Sequence, residues 1–179
     1  RIVVLNLMPV KLTTETDLIR LLSNTPLQIE LKFMKIKGHT SKNTPVEHMK
    51  VFYETFESIK DQKFDGFIVT GAPLEQMEFT DVEYWDELTE ILDWARSHVT
   101  SSLYICWAAL AALNHFYGIP KYGLEEKRFG VFRHTVLREF VPLFRGFPEP
   151  FHRFSRIFLD AIAIGIAQCS RKNKKAEHQ

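Results

Sequence analysis

The sequence is poor in cysteine, nearly balanced in charge and free of long apolar runs. Two cysteines in 179 residues are too few for a disulfide framework, which excludes a disulfide-stapled secreted domain and predicts a cytoplasmic protein. A net charge of +1 excludes the basic surface typical of nucleic-acid-binding proteins. No apolar run approaches the roughly 20 residues that span a bilayer. We therefore expect neither nucleic acid nor membrane as a partner.

What the sequence does contain is an alternation of strand-like and helix-like segments. Apolar or alternating stretches at residues 1–8, 27–36 and 67–69, and a fourth that ends at Cys106, predict strands. Amphipathic segments between them predict helices. This alternation predicts an α/β fold, a parallel sheet flanked by helices on both faces.

The predicted helices have recognisable starts and apolar faces. Thr14 with Asp17, and Thr80 with Glu83, have the spacing of capping boxes and predict where the first and third helices begin. The second predicted helix carries its large apolar residues on one side: Met49, Phe52, Tyr53, Phe56 and Ile59.

A nucleophile elbow is predicted at Cys106, where an apolar strand stops and a run of alanines and leucines begins. A sharp strand-to-helix turn exposes the side chain at its corner above the sheet edge. The first amides and the dipole of the following helix favour a thiolate, so this position predicts a lowered thiol pKa. The alternative is that Cys106 is a small buried apolar residue.

Other candidate residues fall on the same edge, because parallel strands end together. The turn at residues 70–73 follows the third strand, and Glu75 comes directly after it. A loop carboxylate is ordinarily just exposed to solvent, but at this edge Glu75 would shape a pocket for an acyl donor. The backbone N–H of Trp107 and those of the turn are candidate donors to an oxyanion. Lys127 lies in a charged loop and is a candidate to hold a substrate carboxylate.

A cysteine nucleophile needs a base, usually a histidine held by an acid. Of the seven histidines, we expect His115 to be structural and His48 and His98 to lie on helix surfaces. His134 could reach the sheet edge, after a strand pair expected at residues 129–136. Residues 145–154 are expected to form a loop. None of the seven is assigned as the base.

Six segments resemble the homoserine O-acyltransferase family of methionine biosynthesis, which is similar in fold to the class I glutamine amidotransferases with their flavodoxin-like core. The segments are NLMP, LLSNTPLQIE, SKNTPVEHMKVFYETF, FDGFIVTGAPLE, VEYWDELTEILDWARSHVTSSLYICWA and YGIPKYGLEEKRFGVF. The resemblance extends from Arg1 to about Phe151.

The resemblance implies a ping-pong acyl transfer through Cys106. The thiol accepts an acyl group from acyl-CoA as a thioester and passes it to the hydroxyl of L-homoserine. Lys127 matches the family's substrate-binding lysine, and Ser155 loosely matches its substrate-binding serine. Glu75 matches the position that sorts acyl donors, and glutamate there implies acetyl-CoA, with succinyl-CoA as the alternative. We expect no metal, no bound cofactor beyond acetyl-CoA as co-substrate, and a possible homodimer.

The chain departs from the family pattern near its end. Leu110 and Arg133 stand where the family has glutamine and glutamate, and HRFSR replaces a PHSR segment. The later GHPEY-like segment, which carries the family's catalytic histidine and glutamate, is not found. We expect residues 1–151 to form an incomplete amidotransferase-like domain and residues 152–179 to be divergent, with a disordered tail. The C-terminal part is expected to be missing or altered.

The resulting prediction is a homoserine O-acetyltransferase with weak or absent turnover, because no base is evident. Two alternatives stay open. One is a glutaminase or other cysteine hydrolase on the same fold. The other is a catalytically impaired remnant that acts only as a binding or dimer-forming module.

Overall fold

A computed structural model describes residues 1–37, 43–123, 129–134 and 151–156. The strands are β1 (Ile2–Leu5), β2 (Leu31–Lys35), β3 (Tyr53–Thr55), β4 (Phe64–Val69), β5 (Val99–Tyr104), β6 (Phe129–His134) and β7 (Phe151–Arg156). The helices are α1 (Lys11–Leu22), α2 (Val46–Phe52), α3 (Phe56–Ile59), α4 (Trp85–His98) and α5 (Trp107–Tyr117), with a 3₁₀ turn at Phe79–Asp81. Across these residues the longest helix has 14 residues, and none is long and apolar enough to cross a membrane.

Five of the strands form one parallel sheet in the order β3-β2-β1-β4-β5. This confirms the predicted α/β fold. Without the short β3, the order of the main strands is the one with which a flavodoxin-like sheet begins. The chain adds strands on one side of β1 and then on the other, so the switch point lies between β1 and β4. Ligands of such sheets bind outside the carboxyl ends of the strands at this point.

The central strands are apolar on both faces because helices cover both faces. Val3, Val4 and Leu5 of β1 are fully buried. Side chains of alternate residues point to opposite faces, so Val3 and Leu5 join a large core with α4 and α5, whereas Val4 joins a smaller one beside α1 and α2. Trp94 belongs to the larger core, where its ring packs edge-on against Phe56, Phe64 and Phe67.

The prediction of one continuous second helix was wrong. The structure ends α2 at Phe52, forms β3 over Tyr53–Thr55 and restarts as α3. The backbone of β3 pairs with β2, with Phe33 opposite Tyr53. Tertiary pairing therefore overrides a helical spacing of apolar residues.

Both predicted capping boxes were also wrong. Helix α1 begins at Lys11, so Thr14 lies inside it and its hydroxyl donates to the carbonyl of Val10, 3.3 Å away. Thr80 lies in the 3₁₀ turn, and α4 begins later, at Trp85. A threonine inside a helix can bond back to the carbonyl four residues earlier, which removes it from the capping role.

The strands near the end of the chain pair differently from the prediction. β6 pairs antiparallel with β7, and Gly130 faces Ser155. Residues 151–156 are therefore strand, not loop, and the partner of β6 comes from beyond residue 136. The predicted disordered tail lies outside the described residues.

Candidate functional site

The corner between β5 and α5 has the geometry of a nucleophile elbow. Cys106 is the residue that precedes the first turn of α5, with φ 55° and ψ −122°. In the described part of the chain it is the one non-glycine residue with positive φ. Such a conformation costs an ordinary side chain of order 1–3 kcal/mol, and outliers of this kind cluster at functional sites. Cys106 is exposed and free of any disulfide, so the alternative of a buried apolar cysteine does not hold.

The turn after β4 lies directly against this corner. The N–H of Ile105 donates to the carbonyl of Val69 at 3.0 Å, which continues the β4–β5 pairing to the residue before the cysteine. A Cβ atom added to Gly71 would lie 3.0 Å from the Cβ of Cys106 and 3.5 Å from its Sγ. Glycine at this position is therefore what allows the two segments to approach so closely. The structure thus brings together the turn after β4 and Cys106, which the sequence analysis predicted to lie on one edge of the sheet.

The thiol is not activated in the way the sequence predicts. Partial burial is the largest influence and raises the pKa of Cys106, and the negative charge of Glu75 raises it further. A hydrogen bond from the backbone N–H of Trp107 acts in the opposite direction and is outweighed. The predicted lowering was therefore wrong for the chain by itself, because desolvation of the thiolate exceeds the stabilisation by the helix amide.

Two of the candidate residues nevertheless act on the thiol. The influence of the Glu75 charge on the thiol puts the loop after β4 within electrostatic range of Cys106. The N–H of Trp107 donates a hydrogen bond to the sulfur, which favours the thiolate. The Trp107 side chain is fully buried and contacts the ring of Phe79, with 6.2 Å between centroids.

The remaining candidates are not brought to the corner by the described structure. Lys127 lies outside the described residues, and Ser155 lies on β7 opposite Gly130. His115 pairs with Asp93 at 3.0 Å, between Nε2 and Oδ1. His98 stacks on Trp94.

A group of buried polar residues at the carboxyl ends of β1 and β4 was missed by the sequence analysis. We call it the buried polar cluster; its members are Asn6, Lys11, Glu15, Tyr53 and Thr70. Tyr53 donates to Glu15 Oε1 at 2.5 Å and accepts from Asn6 Nδ2 at 2.8 Å. His48, at its rim, contacts Glu15 Oε2 at 2.8 Å. A lysine and a glutamate on the inward face of α1, four residues apart, were the available signal.

Two members of the cluster, Lys11 and Tyr53, have a strongly altered pKa. Burial lowers the pKa of Lys11 to about 8, although Glu15 acts in the opposite direction. Its Nζ donates to the carbonyls of Asn6 at 2.6 Å and Met8 at 3.3 Å. The ammonium thereby fixes the chain where β1 leaves the sheet. The pKa of Tyr53 is raised by burial and by its bond to Glu15, so its hydroxyl stays a donor.

Thr70 joins the cluster to the cysteine corner. Its Oγ1 accepts from the N–H of Leu7 at 2.7 Å and lies 3.5 Å from Asn6 Oδ1 and 3.3 Å from the carbonyl of Gly71. The residue that follows Thr70 is the glycine against which Cys106 packs.

Comparison with known proteins identifies one family, although the family model and the relatives are named for different acyl groups. The family model described as homoserine O-succinyltransferase matches residues 1–160. A protein named homoserine O-acetyltransferase from Bacteroides fragilis is 66% identical over 152 residues, which is 85% of this chain and 50% of that protein. Its namesake from Parabacteroides distasonis is 68% identical over 151 residues, 84% of this chain and 49% of that protein. The namesake from Acetivibrio thermocellus is 55% identical over 85% of this chain and 50% of its own length. The chain spans about half the length of the curated relatives it matches.

Proposed function

Because the chain belongs to the homoserine O-acyltransferase family, we propose that it carries the nucleophile-bearing part of an enzyme that moves an acetyl group from acetyl-CoA to the hydroxyl of L-homoserine, in methionine biosynthesis. The observation that carries this proposal is the strained, exposed Cys106 at the β5–α5 corner, packed against Gly71.

In the first half-reaction, the Cys106 thiol gives up its proton to solvent, and the resulting thiolate attacks the carbonyl carbon of acetyl-CoA. A carbon–sulfur bond forms to the enzyme, the bond to coenzyme A breaks, and coenzyme A leaves as a thiolate that takes up a proton. Negative charge develops on the carbonyl oxygen in between. We propose that the N–H of Trp107, which bonds the sulfur in the resting protein, donates to that oxygen in the reaction.

In the second half-reaction, the hydroxyl oxygen of homoserine attacks the thioester. The hydroxyl gives up its proton to a base, the acetyl–oxygen bond forms, and Cys106 leaves as a thiolate. His48, His98 and His115 contact Glu15, Ser97 and Asp93 respectively. The second half-reaction needs a base for the homoserine hydroxyl, and we assign that role to none of these three histidines.

The choice of acyl donor is proposed to depend on Glu75. Its negative charge acts on the thiol, so it would also act on a donor held there. The free carboxylate of a succinyl group would be repelled by a like charge, whereas an acetyl group has none. Acetyl-CoA is accordingly the proposed donor. Lys127 and Ser155 are the proposed contacts to homoserine, by resemblance alone. A homodimer and a cytoplasmic location stay predictions.

Mass spectrometry of the acylated protein tests the proposal. The 179-residue chain is incubated with acetyl-CoA, with succinyl-CoA or with neither, and homoserine is then added. We expect an acetyl group on the peptide that contains Cys106, and little discharge by homoserine. Cys106→Ala should lower adduct formation at least about a thousandfold, as removal of a nucleophile does.

The chain's other cysteine supplies the control. Cys169→Ala should leave the adduct unchanged, since the proposal gives that residue no part in the chemistry. Absence of any adduct, or an adduct that depends on Cys169, would contradict the proposal and favour a protein that only binds. A faster reaction with succinyl-CoA would overturn the assignment of the donor.

A further inference from the structure

Lys121 binds the backbone of the loop that carries Glu75. It lies three residues beyond Gly118, which ends α5 in a left-handed conformation. After the C-terminal end of α5, the chain thus turns back toward the loop that carries Glu75. Lys121 Nζ donates to the backbone carbonyl of Glu75 at 2.9 Å and also to the carbonyl of Met77. One ammonium group therefore binds two carbonyls of a single loop.

The other restraints on this loop, residues 73–78, are neutral. The N–H of Leu74 donates to the carbonyl of Ala72 at 2.9 Å, that of Met77 to the carbonyl of Leu74 at 3.1 Å, and that of Asp81 to the carbonyl of Glu78 at 3.1 Å. The side chain of Leu74 packs against the large core. Most residues of the loop are exposed. Hydrogen bonds that involve a charged donor are roughly twice as strong as neutral ones, so we expect the bond from the Lys121 ammonium to the carbonyl of Glu75 to be stronger than each backbone bond of the loop.

Lys121 also contacts the aromatic residues beneath the corner. Its Nζ lies over the ring of Phe79, 5.2 Å from the centroid. Phe79 is buried, stacks on Trp85 at 5.1 Å and contacts Trp107, the residue after the nucleophile. The ammonium is therefore located by an aromatic group that is itself fixed by the core. Its position relative to Cys106 does not depend on the loop alone.

We propose that Lys121 is a positioning residue that holds Glu75 beside Cys106 and through it sets the choice of acyl donor. The part about the donor rests on the proposed function; the part about position does not. Lys121 acts here on the backbone carbonyls of the loop, not on substrate. Its loss frees the Glu75 carboxylate to move toward solvent and away from the thiol.

The pH profile of alkylation of Cys106 by iodoacetamide tests the positioning without any acyl-CoA. The Glu75 charge raises the pKa of Cys106, so a carboxylate that moves away lets this pKa fall. We expect Lys121→Met to move the profile to lower pH, in the same direction as Glu75→Gln. In the Glu75→Gln background, Lys121→Met should cause no further shift. Lys121→Arg, which can still donate to two carbonyls, should retain the profile of the unmodified protein.

The matched control is Lys63→Met, which removes an exposed lysine before β4, at the opposite end of that strand from Gly71. It should leave the profile unchanged. Thermal unfolding followed by near-UV circular dichroism checks that each variant is folded; Lys121 is only partly buried. An unshifted profile in folded Lys121→Met would overturn the proposal. So would a shift that persists in the Glu75→Gln background, because Lys121 would then act independently of Glu75.

Acylation rates test the choice of donor. The ratio of the rates with acetyl-CoA and succinyl-CoA should fall at least about fivefold in Lys121→Met, because a like charge no longer opposes the succinyl group. It should fall no further in the double variant than in Glu75→Gln. An unchanged ratio in a protein that is acylated would refute this role for Lys121 and leave the proposed function standing. If the unmodified protein is acylated by neither donor, the proposed function and the role in donor choice both fail, and the alkylation profile still decides the positioning.

Discussion

The buried polar cluster and the cysteine corner lie on the same edge of the sheet and differ in almost every physical respect. The cluster is buried, and its Glu15 carboxylate is bonded at both oxygens, to Tyr53 and to His48. The corner holds an exposed thiol on a strained backbone. One peptide bond separates them, between Thr70 and Gly71.

This difference shows how one edge can be both rigid and reactive. Buried polar groups stabilise a fold only when their hydrogen bonds are complete, and the cluster joins the ends of β1 and β4 in this way. A strained backbone conformation persists only where the surrounding structure fixes it. We expect the neighbouring cluster to fix the segment against which Cys106 packs. We infer that the cluster contributes mainly to stability, whereas the corner contributes to reactivity.

The largest effect is expected from breaking the cluster. Glu15→Ala leaves Tyr53 and His48 without their acceptor and buried Lys11 without its nearest opposite charge. We expect the free energy of unfolding, measured by urea denaturation, to fall by about 3 kcal/mol. In the variant that is still folded, alkylation of Cys106 should change less than about threefold.

Glu57→Ala is the matched control. Glu57 forms an exposed pair with Lys60 at 2.7 Å, and exposed pairs contribute little. We expect no measurable change in stability. If Glu15→Ala behaved like this control, the cluster would not be a source of stability, and the distinction between the two regions would fail.

Gly71→Ala should have a smaller effect on stability than Glu15→Ala, and it should also slow the acylation of Cys106. The new Cβ would lie 3.0 Å from the Cβ of Cys106, so the two segments must separate. We expect acylation to slow about tenfold and the free energy of unfolding to fall by about 1–2 kcal/mol. Mass spectrometry of samples quenched at successive times measures the acylation rate, and urea denaturation measures the free energy of unfolding.

Gly123→Ala is the corresponding control, because a Cβ there would meet nothing within 4 Å. Both quantities should stay at their original values. Acylation of Gly71→Ala at the original rate would show that the close approach of the turn has no part in shaping the corner.

The smallest effect is expected from releasing the strain itself. Glycine adopts positive φ without the steric cost that other residues incur. Cys106→Gly should therefore be more stable to unfolding than Cys106→Ala by about 1 kcal/mol, while neither variant forms an adduct. Equal stabilities would mean that φ 55° at this position stores no strain.

Features that depend on neighbouring residues could be predicted from the sequence, whereas features that depend on distant residues could not. The alternation of apolar strands and amphipathic helices predicts the parallel sheet, and the abrupt change at Cys106 predicts the elbow, because both are local patterns. The separate strand β3 was missed, since Tyr53 has helical spacing with its neighbours and is held by Phe33 and Glu15 from elsewhere in the chain. The two capping boxes were wrong for the same reason. A local spacing does not specify which hydrogen bond a threonine makes.

The sequence by itself determined the sheet, its reactive edge and the cysteine at the corner, because the period of apolar residues and a strand-to-helix change are properties of neighbouring residues. Only the tertiary structure decided the environment of that cysteine. Partial burial of the otherwise exposed sulfur raises the pKa of the thiol, and Lys121 donates to the carbonyl of Glu75, which lies 46 residues earlier in the chain. Solvation and long-range hydrogen bonds depend on which distant segments meet in space, and that is set when the strands assemble.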